Sequence, residues 1–207
     1  MHLPDGILPI EQSIVYWVIT LIVIALFLYK FSKREDKEKT SVLIALFAVF
    51  FVVVTSLSVP SPLGVPIHFF LIPMVARLLG PYNGSVVAFF GLLVQALALN
   101  MGGIVCFGAN FLVIGVLVAF VTYGFYELLV NINDKIAIFF STIAGIMFAT
   151  FGQVFILILS GAMNLDSLLA TLVPFYLFIS IIEGFANTVI IYAVRRVKPE
   201  IMDLNKM

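Results

Sequence analysis

Residues 10–31 read IEQSIVYWVITLIVIALFLYKF, with charged side chains only at Glu11 near the start and Lys30 near the end. A helix that crosses the ~30 Å of hydrocarbon in a bilayer needs roughly 20 mostly apolar residues, and this run supplies them. Further candidate segments are residues 41–59, 67–80, 85–100, 107–130, 136–160 and 168–194. The sequence therefore predicts an all-α fold, a polytopic transmembrane bundle of about seven helices.

The composition of the 207-residue chain is that of an integral membrane protein. Apolar residues make up 63% of it and charged residues 11%, far from the usage of soluble domains. The formal net charge is zero, so nothing favours nucleic acid as a partner, and membrane lipid is the expected surrounding. We expect one integral membrane domain over residues 1–207, made of a terminal segment (1–9), a helix bundle (10–194) and a tail (195–207).

The third and fourth segments are the shortest of the seven. The sequence PYNG, Pro81 to Gly84, lies between them. It is compatible with a loop between two complete crossings, or with the tip of a helical hairpin that dips partway into the bilayer. Both alternatives stay open at this stage.

Lysine and arginine residues predict the orientation, because they collect in cytoplasmic loops. With seven crossings and an external amino terminus, all eleven fall on the cytoplasmic side. These residues are Lys30, Lys33, Arg34, Lys37, Lys39, Arg77, Lys135, Arg195, Arg196, Lys198 and Lys206. Merging residues 67–100 into one crossing would instead place Lys135 outside. We therefore expect a plasma-membrane protein with its carboxyl terminus in the cytoplasm.

The two histidines of the chain fall at the same membrane face in this topology. His2 lies at the external terminus, and His68 is the second residue of the third segment. Pro4-Asp5-Gly6 has the composition of a tight turn, so the first residues can fold back into the outer mouth of the bundle. The amino terminus shows no signal-peptide pattern, and Met1 is expected to stay on the mature chain.

A folded-back terminus of this composition is a ready chelator. The α-amine of Met1 and the backbone nitrogen and Nδ1 of His2 can hold one cation in fused rings, and His68 can supply a fourth nitrogen. Four nitrogens in one plane suit Ni(II) and Cu(II), and a protein can impose this geometry on Co(II). Zn(II) instead prefers tetrahedral coordination, and Mg(II) and Ca(II) prefer oxygen ligands. Either histidine alone more often has a structural role, but the pair at one face favours a metal site.

Polar residues inside or beside the apolar segments are candidates for orienting the histidine rings, since a histidine ligand usually donates its second N–H to an oxygen. These candidates are Asp5, Gln95, Asn100 and Asn110. Hydrogen bonds between helices without any metal are an equally good interpretation of each. Glu183, near the middle of the last segment, is protonated, hydrogen-bonded inside the bundle or part of a helix contact, and the sequence does not choose.

Sequence motifs for enzymatic activity are missing. The chain has no GxxxxGK[ST] loop for ATP, no HExxH and no GxSxG, so we expect a transport subunit rather than an enzyme. A tight chelate at the outer face needs energy from a partner or a gradient to release its ion inward. Two alternatives remain: a self-sufficient carrier or channel for another solute, with structural histidines, or a membrane scaffold without a ligand.

Several segments together resemble one family. MHLPDG at the start, LLGPYNG after His68, LLVQAL, GAN at 108–110 and IIEGFAN are similar to the CbiM/NikM family, the substrate-capturing membrane subunits of energy-coupling-factor transporters for cobalt and nickel. The resemblance extends from Met1 to about Arg196. It implies seven helices, an external amino terminus inserted into the protein, and metal bound by Met1, His2 and His68.

The resemblance also implies partners. They are a transmembrane coupling subunit and a pair of cytoplasmic ATPases, often with a small accessory membrane protein. It further implies that Ni(II) or Co(II) is a transported substrate and that no resident cofactor is needed. Planar nitrogen ligation and the Pro4-Asp5-Gly6 sequence near the amino terminus favour nickel. The choice between the two metals stays open.

Overall fold

The computed structural model describes residues 2–57 and 68–197, and within them the chain forms helices and no strand. The helices are α1 (Ile10–Ser32), α2 (Lys37–Ser56), α3 (Ile72–Leu79), α4 (Pro81–Ala98), α5 (Phe107–Leu129), α6 (Asp134–Leu159) and α7 (Leu165–Val197). All of these except α3 are long and apolar enough to cross a membrane. The all-helical, multi-pass fold expected from the sequence is confirmed.

The third segment differs from the helix expected over residues 67–80. Its helix, α3, has only eight residues and spans ~12 Å, and residues 68–71 before it are not helical. Phe70 is buried, and every residue of α3 except Arg77 is buried as well. Irregular backbone is tolerated at membrane depth when protein rather than lipid surrounds it. This segment can therefore be short because its neighbours shield it.

The turn between α3 and α4 lies at Gly80, one residue before PYNG. Gly80 has a φ of +83°, which glycine adopts readily because it has no Cβ. Pro81 then begins α4, where its missing N–H would have no helical partner anyway. The turn reaches the end of α1, since the Lys30 ammonium lies 3.5 Å from the centre of the Tyr82 ring.

The two ends of the bundle differ in charge. We call the end with residues 2–6, His68 and the start of α5 the site end, and the opposite end the basic end. The described lysine and arginine side chains lie at the basic end, for example Lys30, Arg77 and Arg195 in the last turns of α1, α3 and α7. The first and last described residues therefore lie at opposite ends of the bundle.

A polar cluster around Asp134 ties the helices together at the basic end. The Asp134 carboxylate accepts from the hydroxyls of Tyr126 (2.7 Å) and Tyr192 (2.6 Å) and from Arg195 (2.8 Å). Arg77 donates to the Tyr126 hydroxyl (2.7 Å). The cluster joins α3, α5, α6 and α7 far from the histidines.

Candidate metal centre

The amino-terminal residues fold back onto the site end of the bundle, after a turn at Asp5 and Gly6. Leu3 is only 3% exposed. Its N–H donates to Asn110 Oδ1 (2.7 Å), and its carbonyl accepts from Asn110 Nδ2 (3.0 Å). One amide side chain thus satisfies both backbone groups of Leu3 and fixes the chain next to His2.

The loop between α4 and α5 holds the same segment from another side. The Gly103 N–H donates to the Leu3 carbonyl (2.9 Å), and the Asp5 carboxylate accepts from the N–H groups of Ile104 (3.0 Å) and Cys106 (3.1 Å). A side chain on Gly103 would collide with Asp5, so glycine permits this close approach. The amino-terminal segment and the loop form one docked unit.

A chain of hydrogen bonds joins the two histidines. His2 Nε2 lies 3.2 Å from Gln95 Oε1, Gln95 Nε2 donates to Thr55 Oγ1 (2.6 Å), and His68 Nδ1 lies 3.1 Å from the Thr55 carbonyl oxygen. Gln95 and Thr55 are both fully enclosed. Sequence reasoning missed Thr55, whose only signal was a hydroxyl at the end of an apolar helix.

The partners of each ring determine which nitrogen has a free lone pair. Thr55 Oγ1 donates to the Phe51 carbonyl (2.6 Å), so it accepts from the Gln95 amide, and Gln95 Oε1 faces His2. His2 Nε2 therefore carries the proton, which leaves the lone pair on Nδ1. The Thr55 carbonyl can only accept, so His68 Nδ1 carries a proton, and the lone pair lies on Nε2, which has no hydrogen-bond partner within residues 2–57 and 68–197. Each histidine offers one ligating nitrogen.

His2 and His68 line one cavity of about 310 Å³. Its walls are mainly apolar and include the aromatic residues Phe51, Phe69, Phe70, Phe175 and Tyr176. No carboxylate lines it among the described residues. Mg²⁺ and Ca²⁺ require oxygen ligands, commonly carboxylates, whereas imidazole nitrogens suit transition metal ions.

Three or more His, Cys, Asp or Glu side chains do not come together anywhere in residues 2–57 and 68–197. A metal centre built on His2 and His68 therefore needs ligands other than side chains of these types. Met1, the third predicted ligand, lies outside the described residues. The backbone nitrogen of His2 is one such donor on the described chain.

The four candidate supporting residues contact different groups. Gln95 bonds the His2 ring, Asn110 bonds Leu3, and Asp5 holds the loop at residues 104–106. Asn100 is exposed in a left-handed turn, with a φ of +52°, and no hydrogen bond joins it to either histidine in the described part of the chain. Only Gln95 reaches a histidine ring directly.

Glu183 is hydrogen-bonded inside the bundle, one of the three roles that the sequence left open. It is fully buried on α7 and accepts from the N–H groups of Phe70 (2.7 Å) and Leu71 (2.9 Å). Both donors belong to the non-helical segment that follows His68.

We predict that His2 stays neutral well below the pH at which an exposed histidine becomes protonated. Burial lowers the pKa of His2 from 6.5 to about 4, and the nearby His68 acts in the same direction. Docking of the amino terminus is therefore strongest above pH 6.5 and weakens as the pH falls from 6.5 towards 4. NMR titration of the metal-free protein, labelled at histidine, measures this midpoint. A midpoint for His2 near 6.5 would contradict the prediction.

Comparison with known proteins identifies the family. A profile of the CbiM family, described as a cobalt uptake substrate-specific transmembrane region, matches residues 2–201. The chain belongs to the CbiM family. A cobalt transport protein CbiM of Thermosipho melanesiensis is 30% identical to it over 203 residues, which cover 92% of this chain and 85% of that protein.

Other CbiM relatives are matched over a smaller share of their length. A cobalt transport protein CbiM of Clostridium tetani is 32% identical over 152 residues, or 73% of this chain and 63% of that protein. A putative cobalt transport protein CbiM of Methanosarcina barkeri is 34% identical over 134 residues, or 64% and 58%. The chain thus aligns with less than two thirds of the length of these two relatives.

Two solved structures share the fold of this CbiM-family chain. They are described as a transition metal transporter and a truncated transition metal transporter, with TM-scores of 0.84 and 0.85 and 24% identity to each. The matches cover 95% of this chain and 93% and 99% of those chains. At that identity the likeness shows the fold alone. Family membership and the six long apolar helices make this CbiM-family chain a multi-pass protein of the plasma membrane.

Proposed function

We propose that this chain is the substrate-capturing membrane subunit of an ATP-driven, energy-coupling-factor uptake transporter for Co(II) or Ni(II). The observation that carries the proposal is that His2 and His68 line one cavity, and that their contacts with Gln95 and Thr55 leave the lone pairs on His2 Nδ1 and His68 Nε2. Relatives named as cobalt transport proteins support it. The chain acts as a transport component and not as an enzyme.

The proposed ligands are four nitrogens: the Met1 amine, the backbone nitrogen and Nδ1 of His2, and Nε2 of His68. Amine and backbone nitrogen close a five-membered ring on the ion, and backbone nitrogen and Nδ1 close a six-membered ring. The backbone nitrogen must lose its proton, which provides one negative charge in a cavity without carboxylates. That loss requires a strongly polarising ion and disfavours Mg²⁺ and Ca²⁺.

The charge pattern supports the orientation that we propose. Basic residues collect on the cytoplasmic side of membrane proteins, and the described lysines and arginines lie at the basic end. The site end therefore faces outside, where residues 2–9 plug the mouth of the bundle and capture the ion. The carboxyl terminus is cytoplasmic.

Release of a tightly held ion towards the cytoplasm requires work that this chain does not supply. We propose that a transmembrane coupling subunit, a pair of cytoplasmic ATPases and a small accessory membrane protein complete the transporter. The names of the relatives favour cobalt, and four planar nitrogens favour nickel. Competition between the two ions on the purified protein distinguishes them.

We predict that the purified protein with its native start binds about one Ni(II) or Co(II) ion per chain. His2→Ala and His68→Ala should each lose most of this metal, because each removes an imidazole ligand. Mass spectrometry of metal content after equilibrium dialysis measures the difference. Asn100→Ser is the control and should keep its metal, since Asn100 is exposed. Full metal content in both histidine variants would refute the proposal and favour a carrier or scaffold with structural histidines.

A further inference from the structure

Glu183 holds two consecutive backbone groups of the segment that carries His68. Its Oε2 accepts from the N–H of Phe70 (2.7 Å) and its Oε1 from the N–H of Leu71 (2.9 Å). The carboxylate is fully buried in α7, the last helix of the bundle. A carboxylate at this depth is costly unless it is paired or functional, and here it is paired with backbone.

The turn that Glu183 holds has an unusual conformation. Leu71 has a φ of +57°, a left-handed backbone conformation that is rare for leucine. The Ile72 N–H bonds the Phe70 carbonyl (2.7 Å), so the chain turns sharply just before α3 begins. Such conformations persist only where the surrounding structure imposes them. The two hydrogen bonds to Glu183 act directly on the residues of this turn.

His68 lies two residues before Phe70 and has no helix of its own to fix it. Its ring is oriented by the Thr55 carbonyl on α2, and its backbone leads into the turn that α7 holds through Glu183. Phe70 also packs edge-on against Tyr176 of α7, with ring centres 5.9 Å apart. The position of His68 therefore depends on contacts from two separate helices.

We infer that Glu183 is a positioning residue for the metal ligand His68. By accepting the N–H groups of Phe70 and Leu71, it fixes the turn that directs His68 Nε2 into the cavity shared with His2. This inference rests on the proposed function, because it takes His68 to be a ligand. It adds a buried carboxylate to the contribution of α7, whose Phe175 and Tyr176 already line the cavity.

The test is a double-mutant cycle between Glu183→Gln and His68→Ala, with Ni(II) affinity measured in nanodiscs. Glutamine has nearly the same size, but its NH₂ group cannot accept from a backbone N–H. Glu183→Gln should lower the affinity by roughly 10- to 100-fold, the usual range for groups that orient a ligand. Combined with His68→Ala, it should cause no further loss, because the ligand that it positions is gone.

A spectroscopic readout separates positioning from general stability. Saturated with nickel, Glu183→Gln should give the ligand-field absorption spectrum of His68→Ala rather than that of the unaltered protein. Ser180→Ala is the matched control: Ser180 is buried on the same helix, and its hydroxyl donates to the Leu177 carbonyl within that helix (2.7 Å). Its nickel affinity and spectrum should be unchanged.

Glu183→Asp covers the case in which Glu183→Gln does not fold. It keeps both acceptor oxygens on a side chain one carbon shorter, and it should bind nickel with an affinity between those of the unaltered protein and His68→Ala. Unchanged affinity in the aspartate or glutamine variant, or fully additive losses in the cycle, would overturn the positioning role while leaving His68 as a ligand. If His68→Ala itself binds nickel normally, the proposed function fails and the positioning role fails with it.

Discussion

A protein with one residue added before Met1 is expected to bind Ni(II) or Co(II) at least ~100-fold more weakly than the native chain. The added residue converts the Met1 amine into a second backbone amide, which can bind only after it loses its proton, so closing the proposed five-membered ring then costs a deprotonation that the free amine does not need. The rest of the bundle is untouched, so helix content should not change. Isothermal titration of both proteins, with their starts verified by mass spectrometry, measures the effect.

The same residue added after Met207 is the control for this extension. It changes the length and composition equally but leaves the amine free, and it should bind as the native chain does. If the extended start binds as tightly as the native start, the amine is not a ligand. The His2 and His68 nitrogens would then have to hold the ion in some other arrangement.

Asn110→Leu is expected to weaken metal binding by roughly 10- to 100-fold, the range typical of groups that support a ligand. Leucine is similar in size, but it can neither accept from the Leu3 N–H nor donate to its carbonyl. In this variant the Leu3 carbonyl still accepts from the Gly103 N–H, whereas the Leu3 N–H loses its acceptor, Asn110 Oδ1. A buried donor without a partner costs ~1–3 kcal/mol, so the terminus should leave its site for part of the time.

Thr20→Val is the matched control for Asn110→Leu. Thr20 on α1 is fully buried and donates to the carbonyl of Gly108 (3.1 Å), which lies on α5 like Asn110. No hydrogen bond joins Thr20 to Leu3 in the described part of the chain. Valine removes this hydrogen bond without releasing the terminus, so metal affinity should stay unchanged. Equal losses in both variants would mean that damage to the α1 and α5 contact, rather than release of Leu3, lowers affinity.

Hydrophobic length predicts the crossings that face lipid and fails for the one that does not. α1 was predicted almost to its bounds, because a helix in contact with lipid must be apolar along its whole length. The helix expected at 67–80 is only Ile72–Leu79, since its neighbours replace lipid around it. No local pattern reveals that shielding, which arises from packing between distant parts of the chain.

The candidate site, like the fold, was predicted from the sequence only in part. Rarity and topology single out His2 and His68, and the structure brings them to one cavity. The partners of Glu183 could not be predicted, because they are backbone groups more than 100 residues away in the chain. Asn100 was expected at the end of a helix over 85–100, but α4 ends at Ala98, and the left-handed turn beyond it leaves Asn100 exposed.

The brevity of α3 has a consequence for biogenesis. A helix of eight residues is too short to partition into lipid unaided. The translocon therefore cannot insert this segment as a membrane helix on its own. It can reach its place only when flanking helices arrive to enclose it, and α7, which carries Glu183, is synthesised last. Because Glu183 is the proposed positioning residue for His68, we expect a nascent chain arrested before α7 leaves the ribosome to lack the proposed metal centre, even with both histidines already made.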